Sequence, residues 1–242
     1  MVAETSHDRR GGRRSITTGN VELDKKMGGG IPEGSLTLIE GQSDAGKSVL
    51  VQQLAWGGLR EGFRVLIYTT ENTTRSLLTQ MQDLGLDIED YFLLGRVSVF
   101  PVPQAFTEEQ SLNVFQLLRA HISQLQNAVD IVIVDSLTTF VSHVTDQETL
   151  TFFTLCKDFC DLNKSIIFTM HSHAFSEQMF IRLRSICDAH LRLRVEEVGD
   201  RLVKVLEVAK IRGAEKSTGN IISFEVEPNL GMRIVPITKA KA

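Results

Sequence analysis

Residues Gly41-Gln42-Ser43-Asp44-Ala45-Gly46-Lys47-Ser48 match the pattern GxxxxGK[ST] in full. No other feature constrains the fold so tightly, because this loop works only between a buried strand and the N-terminus of a helix. There, successive backbone N–H groups curl around a phosphate and the helix dipole favours its charge. The flanks suit that setting. Ser35 to Glu40 (SLTLIE) reads as a short buried strand, and residues 49–60 (VLVQQLAWGGLR) read as a helix in spite of Gly57 and Gly58. Gly46 lets the backbone approach closely, Lys47 reaches the β and γ phosphates, and Ser48 holds Mg²⁺. Gln42, Ser43, Asp44, Ala45 and Val49 complete the cofactor-binding set. Asp44 is unusual in such a loop, since a carboxylate repels polyphosphate unless it points away.

A second motif lies downstream. Asp130 to Asp135 (DIVIVD) is an apolar run ending in acid. A strand there delivers Asp135 to its C-terminal end, the edge where ligands bind in open α/β sheets. Asp135 would hold Mg²⁺ together with Ser48, through water; the alternative is a helix cap, a role that Ser136 suits better. Arg64 to Thr69 and Ser165 to Met170 are further buried strands, and Val97 to Phe100 is a short one. Helical patterns occupy Leu77 to Leu84, Thr107 to Gln126 and about 146–162. Strands alternating with helices imply a mostly parallel sheet covered on both faces. After about residue 186 the texture changes: Ala189–Val195, Arg201–Leu206 and Ile221–Val226 alternate with period two, as antiparallel strands do. The expectation is one α/β domain over 15–242, with a β-rich C-terminal extension, after a flexible tail at 1–14 that carries Arg9, Arg10, Arg13 and Arg14.

Charge and cysteine narrow the function. With 26 basic and 30 acidic residues the net charge is −4, so there is no electrostatic case for coating nucleic acid. Three cysteines do not suggest a disulfide framework, and Cys156 and Cys160 share a helix face as core residues. No run of about 18 apolar residues offers a membrane span. A reducing cytoplasm fits.

Residues 16–48 (ITTGNVELDKKMGGGIPEGSLTLIEGQSDAGKS) and the segment KIRG at 210–213 resemble the RecA/KaiC family of P-loop ATPases over nearly the whole chain. Within it the chain is similar to the single-domain accessory ATPases of archaeal flagellar (archaellum) motors. The resemblance implies a RecA-like core that binds ATP with Mg²⁺, a homo-hexameric ring, and docking on the motor ATPase FlaI. It also implies sharing the scaffold FlaX and lying beneath the membrane platform FlaJ, peripheral to the membrane on its cytoplasmic side. A stand-alone KaiC-like ATPase or autokinase in signalling is the alternative, with Ser217-Thr218 as a candidate acceptor. A recombinase is disfavoured by the acidic balance and by the lack of basic loops interleaved with aromatics.

The resemblance also implies roles for particular residues. Lys210 and Arg212 stand two apart on a strand pattern and so face one side; in the family such a pair crosses the subunit boundary to the neighbour's γ-phosphate, the alternative being a solvated basic edge. Family hydrolases carry two adjacent Glu after the strand that follows the P-loop helix. Here the positions are Thr70 and Glu71. A Thr hydroxyl is a poor base, so Glu71 is left as the catalytic candidate, or as a phosphate-sensing relay, or as a surface residue. The expectation is an ATP-binding switch with slow or no turnover. Thr169 or His171 is the candidate sensor of the γ-phosphate. Trp56, Phe152, Phe153 and Phe159 read as core or interface.

Overall fold

The computed structural model describes residues 14–102, 108–124, 128–141, 144–198, 201–215 and 218–236. The expectations for residues 1–13 and for Ser217 lie outside these. Arg14, the last residue of the expected tail, pairs with Glu33 at 2.6 Å and lies over the Phe63 ring.

The elements follow in chain order: β1 (Ser15–Ile16), α1 (Val21–Lys26), β2 (Ile31–Pro32), β3 (Leu36–Gly41), α2 (Lys47–Arg60), β4 (Val65–Thr69), α3 (Thr74–Asp83), α4 (Glu89–Leu93), β5 (Val97–Pro101), α5 (Glu108–Gln124), β6 (Ile131–Asp135), α6 (Thr138–Val141), α7 (Asp146–Asp161), β7 (Ser165–His171), α8 (Glu177–Ile186), β8 (Ala189–Val198), β9 (Arg201–Ile211), β10 (Ile221–Glu227) and β11 (Gly231–Ile234). Apart from the small β1–β2 pair, the strands form one sheet in the order β11-β10-β9-β8-β3-β7-β6-β4-β5. From β8 to β5 neighbouring strands run parallel, and from β8 to β11 they run antiparallel. The fold is therefore the expected mostly parallel α/β core with an antiparallel extension.

The core strands are apolar on both faces because both faces are covered. On one side Ile39, Ile67 and Ile133 pack with Leu50 and Leu54 of α2 and with Met81 of α3. On the other, Leu38, Val132 and Phe168 pack with Phe115 of α5 and with Phe152 and Phe153 of α7. Phe153 lies 5.1 Å from Phe168, ring to ring, and both are fully buried. A capping box between Thr145 and Glu148 fixes the start of α7. Cys156, Cys160 and Cys187 are free and buried in this second layer.

Two features depart from the period-two expectation for the extension. β8 is not purely antiparallel, because it runs parallel to β3 along its other edge. It still alternates because Ala189, Leu191 and Leu193 enter the core while the face carrying His190 and Arg192 meets a buried carboxylate. β9 carries a bulge: Lys210 pairs with His190 and Val208 with Leu191, which leaves Ala209 unmatched. An extra residue reverses which face the following side chains take. Lys204 thus faces the P-loop side, and Lys210, an even number of residues on, faces α8.

The glycines of α2 have a packing reason. A Cβ on Gly57 would stand 2.1 Å from the Thr17 carbonyl oxygen, so the segment after β1 lies directly on the helix backbone. Trp56 is partly buried against the same layer, with the Arg60 guanidinium 4.6 Å from its ring.

Candidate functional site

β3 and α2 hold the P-loop between them at the C-terminal edge of the sheet. The turn uses left-handed backbone at Asp44 (φ 57°) and Gly46 (φ 96°). Gly46 is also tight: a Cβ there would lie 3.1 Å from the Phe224 ring. Among the described residues no side chain caps α2, so its first-turn N–H groups are left for an anion. The Lys47 amine donates to the carbonyls of Gln42 at 2.6 Å and Gly41 at 3.2 Å, and lies 3.4 Å from His171 Nδ1. Burial lowers its pKa, against the opposing pull of Asp135, Glu71 and Asp44.

Asp135 ends β6 beside β7 and is 4% exposed. Its Oδ1 accepts from Thr169 Oγ1 at 2.6 Å, and Ser48 also hydrogen-bonds to the carboxylate. Burial pushes the Asp135 pKa up; Thr169, Ser48 and Lys47 act in the other direction. A hydroxyl and a carboxylate held together at the mouth of a P-loop make an all-oxygen donor set that suits a hard cation such as Mg²⁺. The Ser136 Oγ accepts from the Thr138 N–H at 3.2 Å, just ahead of α6 and after a cis peptide at Asp135-Ser136.

These groups open onto a cavity of about 510 Å³, lined by Ser43, Asp44, Gly46, Lys47, Ser48, Val49, Glu71, Gln80, Asp135, Ser136, His171, Lys204 and Val226. That volume lies within the usual range for small-ligand sites. Of the expected loop residues, Gln42 and Ala45 do not line it. Ala45 is fully buried, and Gln42 turns its side chain away to accept from the Val195 N–H at 3.1 Å.

The β4 end is arranged as follows. Thr70 is buried, and its Oγ1 accepts from the Ser136 N–H at 3.1 Å. That hydroxyl belongs to the scaffold. Glu71 is exposed on the cavity rim, and burial of its carboxyl and then the Asp135 charge raise its pKa, with Lys47 pulling it back. Of the two expected phosphate sensors only His171 lines the cavity. Thr169 is fully buried and serves Asp135 instead. The His171 ring stacks on His173 at 5.2 Å, and burial lowers its pKa.

Three residues of the site come from outside the motifs. Gln80 of α3 accepts from Gln52 Nε2 at 2.7 Å. Val226 belongs to β10. Lys204 of β9 donates its amine to the Asp44 carbonyl, and so touches the loop that Lys47 fills from below. In the sequence Lys204 is one charge in an alternating strand. Nothing there shows that its face is the one covering the P-loop.

Lys210 and Arg212 do not line this cavity. The Lys210 amine donates to the Arg184 carbonyl at 2.5 Å. Arg212 is exposed, with its guanidinium 3.8 Å from Asp188.

A P-loop, a strand-end Asp beside the P-loop Ser, and this sheet order define a P-loop ATPase of the RecA kind, and the chain belongs to the KaiC family of ATPases, whose sequence pattern matches residues 16–239. Within it the chain groups with the archaeal flagellar ATP-binding proteins FlaH. It is 32% identical to FlaH of Sulfolobus acidocaldarius over 94% of this chain and 99% of that one. The crystal structure of the flagellar accessory protein FlaH from Methanocaldococcus jannaschii superposes with a TM-score of 0.80 at 28% identity, covering 93% of this chain and all (100%) of that one. A KaiC-like protein from Pyrococcus horikoshii shares the fold, with a TM-score of 0.74 at 20% identity over 93% of this chain and 100% of that one.

Proposed function

We propose that this chain is an ATP-binding assembly subunit of the archaeal flagellar motor. It binds Mg-ATP at the P-loop and, when loaded, joins a homo-hexameric ring and its motor partners. The reading rests on one contrast within the site. The binding half is complete: Lys47, Ser48 and Asp135 converge, with Thr169 orienting the carboxylate. The hydrolytic half is not, because the buried β4-end position carries Thr70, whose hydroxyl is already hydrogen-bonded to the Ser136 N–H, and the carboxylate that follows it, Glu71, sits on the rim. ATP then acts chiefly by being bound.

Ser48 and Asp135 hold Mg²⁺. Lys210 and Arg212 act on the neighbour's nucleotide; their position on the face away from their own cavity supports a role in trans. The partners that fit are the motor ATPase FlaI, the scaffold FlaX and the membrane platform FlaJ, reached from the cytoplasm; among the described residues no helix is long and apolar enough to cross a membrane.

The test is mass photometry of the purified chain with Mg-ATP, Mg-ADP or no nucleotide, with released phosphate assayed alongside. Ring formation with ATP and little phosphate release is the expected result. Phosphate release at about 1–100 s⁻¹, the range of ordinary phosphoryl-transfer enzymes, or a monomer indifferent to nucleotide, would overturn it.

A further inference from the structure

Glu40 is the last residue before Gly41 and stands on the α8 face of β3, 2% exposed. A carboxylate so placed is strongly destabilising unless it is paired. Here three cationic or basic groups reach it. Arg184 of α8 grips both oxygens, Nη2 at 2.7 and 3.0 Å and Nε at 3.1 Å. Arg192 of β8 donates Nε at 2.9 Å. His190 Nε2 comes to 3.3 Å, close enough for charge attraction though not aligned as a hydrogen bond. None of these groups lines the nucleotide cavity.

The same cluster holds Lys210. Its amine donates to the backbone carbonyl of Arg184 at 2.5 Å, and it is the cross-strand partner of His190. Arg212 is tied in parallel. Its N–H donates to the Asp188 carbonyl at 3.0 Å, while the Asp188 carboxylate accepts from the Leu36 N–H at 2.9 Å at the other end of β3. The strand that carries the P-loop is therefore joined at both ends to the two cations that leave their own site unserved.

We propose that Glu40 is a positioning residue that couples a chain's own P-loop to the Lys210 it presents to its neighbour beside Arg212, which Asp188 ties to the same strand. The carboxylate fixes Arg184, Arg184 fixes the Lys210 amine, and β3 moves with the loop it ends in. Loading one site thereby sets the cations aimed at the next. This inference rests on the trans reading above and adds to it the route by which the two sites communicate.

The test uses the full-length chain and two measurements: affinity for a fluorescent ATP analogue on the dilute monomer, and the protein concentration at half-assembly with Mg-ATP. Glu40→Gln keeps the shape and removes the charge. It should leave monomer affinity within about twofold and raise the half-assembly concentration by about tenfold or more, a typical coupling between sites, the same defect expected of Arg212→Ala. Arg184→Gln should give the same split, and keeps the test alive should Glu40→Gln fail to fold. Normal assembly of Glu40→Gln, with Arg212→Ala defective, would remove the coupling and leave the trans role standing. Loss of monomer affinity in Glu40→Gln would also overturn it, because the carboxylate would then serve its own loop. Normal assembly of Arg212→Ala and Lys210→Ala would take away the trans role, and the coupling with it.

Discussion

The Thr169 hydroxyl donates to the Asp135 carboxylate across 2.6 Å, one strand over from the acid it orients. A donor to the ionised form favours that form, and Asp135 already carries the upward push of burial on its pKa. Thr169→Val removes the donor and keeps the shape. Mg-nucleotide affinity should fall about tenfold to a hundredfold, the worth of one hydrogen bond to a charge. The carboxylate must be ionised to hold the metal, so binding weakens as pH drops, and in Thr169→Val it should weaken from a higher pH. Titration calorimetry with Mg-ADP at several pH values checks both.

Lys204 reaches the Asp44 carbonyl from β9. It brings a second amine to a loop whose own Asp44 is unfavourable to phosphate. Lys204→Ala should weaken ATP binding about tenfold and leave thermal stability nearly unchanged, since the residue is at the cavity and not in the core. Equal affinity in the variant would show that its contact with the loop is structural only.

On the proposed reading, the Thr70 position is the one a catalytic base would fill. Thr70→Glu should raise phosphate release about a hundredfold or more, within the 10²–10⁴-fold range of general-base assistance. It also removes the acceptor of the Ser136 N–H, so a stability loss of about 1–3 kcal/mol should accompany it. Glu71→Gln should abolish any residual turnover while leaving binding intact. Single-turnover phosphate release separates the two.

Gly57→Ala reverses the usual rule. In a helix interior the change ordinarily stabilises by about 0.5–1 kcal/mol. Here the new Cβ meets the Thr17 carbonyl at 2.1 Å, so the melting temperature should fall.

Acid unfolding should register Glu40. Its ordinary pKa of 4.5 is driven up by burial but more strongly down by His190, Arg192 and Arg184, to about 2. A carboxylate lowered in the folded state stabilises above its unfolded pKa and loses that contribution as pH falls through the folded one. The melting-temperature gap between wild type and Glu40→Gln should be constant above pH 4.5 and close toward pH 2. A gap that ignores pH would show that the carboxylate is not held ionised.

The parallel core and the binding half of the site were legible because their signals are local. The residues 41–48 name their own backbone, and SLTLIE, DIVIVD and SIIFTM are apolar on both faces as buried strands must be. What escaped the sequence is non-local. Period-two alternation in β8 states that its faces differ, not that one edge pairs parallel with β3. The unmatched Ala209 has no mark in the sequence, yet it sends Lys204 and Lys210 to opposite faces. α8 has a local signal too: Ser176 caps it, Glu177 follows, and Met179, Phe180 and Leu183 are its buried stripe. Thr169 looked like a phosphate sensor because it ends a strand, but its neighbour across the sheet is Asp135.

The P-loop is backed by the extension at alternate residues: Gln42 on Val195, Asp44 on Lys204, Gly46 on Phe224. The first two contacts span 153 and 160 residues of chain. A polypeptide leaving the ribosome at about 5–20 residues per second therefore displays the whole motif for many seconds before the strands that brace it have been made. During synthesis the phosphate loop stands without these three braces until the last strands have been made.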